Sequence, residues 1–129
     1  MGKRSRRRAT SNGGARPKKL TAPTSEYTDA DGNVLTLRDA LTVAARREYA
    51  DTLAGASGRA AFTQEDTWQR ATELLFERLA VNWTIADAPL DSQRELLARY
   101  RAASQDERAW IREVLREHCA ENFPDVQAP

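Results

Sequence analysis

Sulfur and imidazole are scarce in this chain: Cys119 is the only cysteine, and His118 is the only histidine. One cysteine cannot form an internal disulfide, which fits a reducing compartment. No Cys-x-x-Cys pair exists, so a Cys/His zinc site is excluded in the monomer. Adjacent residues on a helix point about 100° apart, so His118 and Cys119 make a poor base–nucleophile pair. Long apolar runs are also missing, so no membrane span is expected. The basic start lacks the apolar stretch of a signal peptide, and Arg6 stands where a myristoylation signal needs Ser or Thr. These absences place the expected location in the cytoplasm. Lysine is missing from residues 20–129; all three lysines lie in the first 19 positions.

What is present is uneven. Residues 1–19 hold Lys3, Arg4, Arg6, Arg7, Arg8, Arg16, Lys18 and Lys19 and no acid, a charge of +8. The remainder holds 12 arginines against all 19 acids, a net −7. A basic arm on an acidic body is the natural reading. Residues 1–25 contain Gly13, Gly14, Pro17 and Pro23 and one large aliphatic residue, Leu20, beyond Met1. They cannot offset the entropy of ordering, and the expectation is a disordered basic tail. The helical domain then covers residues 26–124, and 125–129 are expected to be a disordered end.

Within the domain, Tyr27 to Leu37 reads as a short β-hairpin turning at Asp31-Gly32, or as an extended strand with a loop. Leu37, Leu41, Ala45, Tyr49 and Leu53 recur at helical spacing and predict a helix over about 38–54; Thr42 would cap a shorter version. Thr63 is placed to cap a second helix whose apolar face is Trp68, Thr72, Leu75, Phe76, Leu79 and Trp83, with an end near Trp83. Asp87-Ala88-Pro89 reads as a connector. Asp91 or Ser92, with Glu95, opens a third helix. Ser104 with Glu107 is a capping box opening a fourth, whose inner stripe is Trp110, Ile111, Val114, Leu115 and His118. Pro124 ends it at Phe123. The expected fold is mainly α: an irregular or orthogonal four-helix array with a short N-terminal β-hairpin.

Few residues suggest chemistry. Asp29 to Asn33 resembles the start of a calcium loop, but Val34 occupies the glycine position and Ala40 the final glutamate. No Gly-x-Gly-x-x-Gly, Walker A or Gly-x-Ser-x-Gly occurs. Glu73, Glu77, Glu113, Glu117 and Glu121 follow helical spacing on outer faces. A helix-turn-helix across Ala102-Ala103-Ser104 would press Asp106 and Glu107 against DNA, which is unfavourable. We expect no enzyme activity, no cofactor and no metal. The eight arm cations are the candidate binding residues for an anionic partner. Such a segment neutralises phosphates without sequence preference, attracts an anionic membrane surface or acidic protein, or simply solubilises. It has no aromatic residue for base stacking.

The order of hairpin, "LTVAARREYADTLAG", "WQRATELLFERLAVNWTIADAPL" and a closing helix ending "ENFP" resembles the layout of phage and prophage tail-assembly chaperones. The resemblance spans residues 27–124 and carries no fixed motif. It implies an all-helical fold that shields an assembly partner. The functional expectation is a non-catalytic protein-interaction or assembly module with a basic arm. The competing expectation is an accessory protein that holds nucleic acid through the arm.

Overall fold

The computed structural model describes residues 23–54 and 64–129, with the backbone of 6–9. Its elements in chain order are β1 (Arg6–Ala9), β2 (Thr24–Thr28), β3 (Val34–Arg38), α1 (Val43–Leu53), α2 (Gln64–Leu79), β4 (Ala80–Ile85), β5 (Ala88–Leu90), α3 (Gln93–Arg101) and α4 (Gln105–Asn122). The five strands form one antiparallel sheet in the order β1-β2-β3-β4-β5. The fold is therefore mixed α and β, and the mainly α expectation is corrected: the hairpin is part of a sheet.

The expected hairpin forms, with Tyr27 opposite Leu35 and a turn at Gly32, whose φ is +86°. Asp29 Oδ1 accepts from the backbone N–H groups of Asp31 and Asn33 and ties the loop. The error lies after α2. That helix stops at Leu79, and the chain passes directly into β4. Trp83 sits four residues beyond Leu79 and so mimics a helical face. Yet Val81, Trp83, Thr84 and Ile85 are β-branched or aromatic, the residues a pleated surface prefers. The connector expected at Asp87-Ala88-Pro89 is instead a two-residue turn, Ala86-Asp87, followed by β5. Both turn residues have positive φ, 50° and 69°, as a type I′ hairpin requires. The usual asparagine and glycine are absent from it, which hid it.

The helical starts follow local capping chemistry. Thr42 Oγ1 accepts from Ala45 N, so α1 is the shorter of the two versions. Ser92 Oγ accepts from Glu95 N. Ser104 and Glu107 form a complete capping box. Thr63 lies outside the described residues.

Alternation along β2 and β3 turns Ser25, Tyr27, Leu35 and Leu37 inward. They meet Trp83, Phe76 and Leu79, then Leu96 and Tyr100, then Ile111, Val114, Leu115 and Cys119 of α4. Phe76 stacks on Tyr100 at 4.8 Å and meets Trp83 edge-on at 5.8 Å. The opposite face of the sheet carries half-buried Thr24, Glu26, Thr28 and Thr36.

Residues 125–129 pack on the body rather than forming a loose end. Val126 is buried, Tyr49 donates to the Gln127 carbonyl, and Arg46 pairs with Asp125 at 2.7 Å. Of the expected disordered tail, Arg6–Ala9 forms β1, and Thr24 and Ser25 open β2. Most of the remainder lies outside the described residues.

Candidate functional site

Three places hold groups capable of chemistry or recognition. The first is a polar cluster beneath the sheet. His118, fully buried on α4, places Nε2 2.7 Å from the Arg38 carbonyl oxygen. A carbonyl only accepts, so Nε2 carries the proton. Nδ1 then accepts from the Tyr27 hydroxyl at 2.8 Å and from the Asn122 amide at 3.3 Å. The same amide donates to the His118 carbonyl, which fixes its orientation. Asp39 Oδ1 lies 3.7 Å from Nε2 and accepts from Ser25 Oγ at 2.7 Å.

Serine, aspartate and histidine thus meet, but in the wrong order for nucleophilic catalysis. Ser25 gives its hydrogen bond to Asp39, and the imidazole bonds to Tyr27, Asn122 and the Arg38 carbonyl rather than to this hydroxyl. Ser25, Tyr27 and His118 have no exposed surface, and the Asp39 side chain is 5% exposed. The cluster pins α4 to β2 and the end of β3. Sequence reasoning placed His118 on an inner face but missed its partners. Ser25 stood at the end of the supposed tail, and Asp39 stood inside the longer version of the first helix. Only the Ser25–Tyr27 spacing of two pointed to an inward pair. Cys119 is buried, and burial pushes its thiol up to about 12. It is no nucleophile at neutral pH.

The second place is a groove of about 640 Å³ between α2 and the start of α4, floored by Tyr100. Glu65, Asp66 and Glu73 line its α2 wall, together with Arg70; Arg108 and Arg112 line the α4 wall. Arg108 lies over the Tyr100 ring at 5.4 Å and donates to the Arg101 carbonyl. Arg101 in turn pairs with Glu73, and Arg99 pairs with Glu107 at 2.7 Å. That pairing, with the Ser104 backbone hydrogen bond, lowers the Glu107 carboxyl below its ordinary range. Trp68, expected on the apolar face of α2, is 42% exposed. Trp83 is buried, and Trp110 is half-buried against the core.

The third place is the arm. Register puts Arg6, Arg7 and Arg8 opposite Tyr27, Glu26 and Ser25 along the sheet edge. Lys3, Arg4, Arg16, Lys18 and Lys19 lie outside the described residues. Among the described residues, no three His, Cys, Asp or Glu side chains are grouped to hold a metal ion, and no helix is long and apolar enough to cross a membrane. Comparison with protein-family models, curated proteins and solved structures gives no match to this chain.

Proposed function

We propose that this chain is a non-catalytic protein-interaction or assembly module working in the cytoplasm, with the α2–α4 groove as its partner face. The observation that carries the reading is the groove's lining: three acids with Arg70 on α2 and two arginines on α4 frame one open concavity. Such walls complement a polypeptide segment bearing charges of both signs, and complementary charge sets register and suppresses wrong partners. The chain's histidine, cysteine and Ser25, by contrast, are sealed. Chaperoning of phage tail assembly is the narrower form of this proposal and rests on element order alone; the all-helical body it implied is replaced by a sheet with helices.

The test is site-specific photo-crosslinking in cells that express the protein natively. A crosslinker at Gln69, on the groove wall, should give one discrete adduct, and the same group at exposed Asp51 of α1 should give none. Equal labelling from both positions, or none from Gln69, overturns the reading.

The second reading is contact with nucleic acid through the arm. One observation favours it: Arg6, Arg7 and Arg8 are consecutive residues of the edge strand β1. Cations carried on a fixed strand meet phosphates with less ordering cost than those of a free tail. Weaker duplex binding, with a shallower salt dependence, on removal of residues 1–9 is its signature.

A further inference from the structure

The outward face of α4 carries a row that is complementary to itself. Ala109, Glu113, Arg116 and Ala120 are all exposed, and their spacing of four, three and four keeps them on one stripe. Read in either direction the row runs small, charged, charged, small. Reversal exchanges the acid for the base. Glu113 and Arg116 stand one turn apart, yet no ion pair joins them, and among the described residues Glu113 has no ion-pair partner. Arg116 gives its Nε–H to the Pro129 carbonyl, which leaves its two terminal amino groups to point elsewhere.

A depression of about 480 Å³ lies on this same stripe, lined by Asp106, Ala109, Trp110, Arg112, Glu113 and Arg116. Ala109, Arg112, Glu113 and Arg116 are residues i, i+3, i+4 and i+7. Four residues in that pattern form the hole that receives a side chain from a facing helix.

We infer that the partner of this face is a second copy of the same chain, docked with its α4 antiparallel about a two-fold axis between Val114 and Leu115. Under that symmetry Ala109 meets the other copy's Ala120, and Glu113 meets its Arg116, each contact occurring twice as an isologous interface requires. Arg116 enters the hole lined by Ala109, Arg112, Glu113 and Arg116, with Glu113 as its acid. The alanines allow the two helices to approach closely at both ends. Arg112 and Glu117 flank the row on opposite edges, and each meets its own symmetry mate. Those like charges are offset by about 7.5 Å along the axis and are screened at physiological salt. A pair of 18-residue helices, each about 27 Å long, buries a small area. The dimer therefore belongs to the weak, reversible class. This inference does not depend on what fills the α2–α4 groove.

Sedimentation of the full chain over a wide concentration range tests it. The wild-type chain should pass from monomer to dimer as concentration rises. Arg116→Glu should weaken the dimer at least about tenfold, because like charges then face across the axis. Glu113→Arg combined with Arg116→Glu should restore it, since the exchanged pair is again complementary. A second measurement fixes the register. Chains carrying Ala109→Cys, mixed with chains carrying Ala120→Cys, should form a disulfide-linked heterodimer under mild oxidation. Neither variant should link to itself, because identical positions lie about 16 Å apart along the axis. Buried Cys119 stays out of reach in every chain. A monomer at all concentrations, a dimer indifferent to Arg116→Glu, or self-linking of either cysteine variant overturns the proposal.

Discussion

His118 is held by groups from three elements, and none of them is its neighbour in sequence except Asn122, one turn along α4. Replacing it with leucine removes its hydrogen bonds to the Tyr27 hydroxyl and the Arg38 carbonyl from a sealed cluster. Each such loss costs about 1–3 kcal/mol, so His118→Leu should destabilise by about 3–5 kcal/mol in urea unfolding. Tyr27→Phe removes one donor while Asn122 still serves Nδ1, and should cost about 1 kcal/mol. Equal, small effects of the two changes would show that the cluster does not pin α4. Its neighbour Cys119 predicts the alkaline limb of stability. Burial raises the thiol from 9.0 to about 12, while the unfolded thiol ionises first. Stability is therefore complete below pH 9 and falls as pH rises toward 12, by up to about 1.4 kcal/mol per pH unit. Tyr49 and Tyr100, raised from 10.0 chiefly by burial, add to the fall at higher pH. Comparing the melting temperatures of the wild type and Cys119→Ala across this range checks it: the variant should lose the first part of the slope. A parallel slope would mean that Cys119 titrates normally. Single residues were also where sequence reading was least secure. Trp68 and Trp83 share one helical stripe on paper, yet one is 42% exposed and the other 2%. Trp83→Ala should cost about 3–5 kcal/mol, and Trp68→Ala much less.

At the scale of elements, what could be read in advance was what depends on near neighbours. Thr42, Ser92 and Ser104 announce their helices because a cap and its partner lie three residues apart. The Asp31-Gly32 turn announces β2 and β3 for the same reason. β4 was missed because its identity is settled by pairing with β3, far away in sequence, against a helical period that Trp83 continues by chance. Its turn is also strained. Ala86 and Asp87 both hold left-handed backbone, which costs a residue with a Cβ about 1–2 kcal/mol. Asn33 Oδ1 accepts from Ala86 N and holds the turn in place. Changing the pair to Asn-Gly should raise the unfolding free energy by about 1 kcal/mol. A loss of stability instead would show that the Ala86 methyl or the Asp87 carboxylate has a role of its own. The capping box of α4 makes an acid-side prediction. Glu107 is lowered mainly by its hydrogen bond to Arg99, then by the Ser104 backbone. Its stabilisation is present above the unfolded value near 4.5 and is lost as pH falls through the folded one. Glu107→Ala should thus cost about 1–2 kcal/mol at neutral pH, and the deficit should shrink in acid. A deficit that persists unchanged at low pH would place the effect in packing rather than charge.

On the whole molecule, the asymmetry of charge was plain from composition, but its mechanical consequence was not. A basic tail of this composition has no core to build, so disorder is the natural expectation from residues alone. The fold alters that by offering an edge. β2 would otherwise present unpaired backbone groups on its outer edge, and Arg6–Ala9 pairs along it. Arginines suit such a strand, because charge on an edge discourages further pairing. The arm and the body are therefore coupled. A freely hanging arm would be removable without cost to the core. With β1 in place, deleting residues 1–9 should lower the melting temperature and expose the β2 edge to self-association. The same deletion removes five of the arm's eight cations, Lys3, Arg4, Arg6, Arg7 and Arg8. If the arm binds duplex DNA with all eight charges, the log–log salt slope should be near −7, at about 0.9 per phosphate. Without five of them it should fall to about −3. The two readouts separate the possibilities. Lower stability with no duplex binding in either form leaves β1 a structural edge strand. Lower stability together with a slope that drops by more than half makes β1 both edge strand and phosphate contact. An unchanged melting temperature would mean that β1 contributes nothing to the sheet, and the arm would then be the free tail its composition suggests.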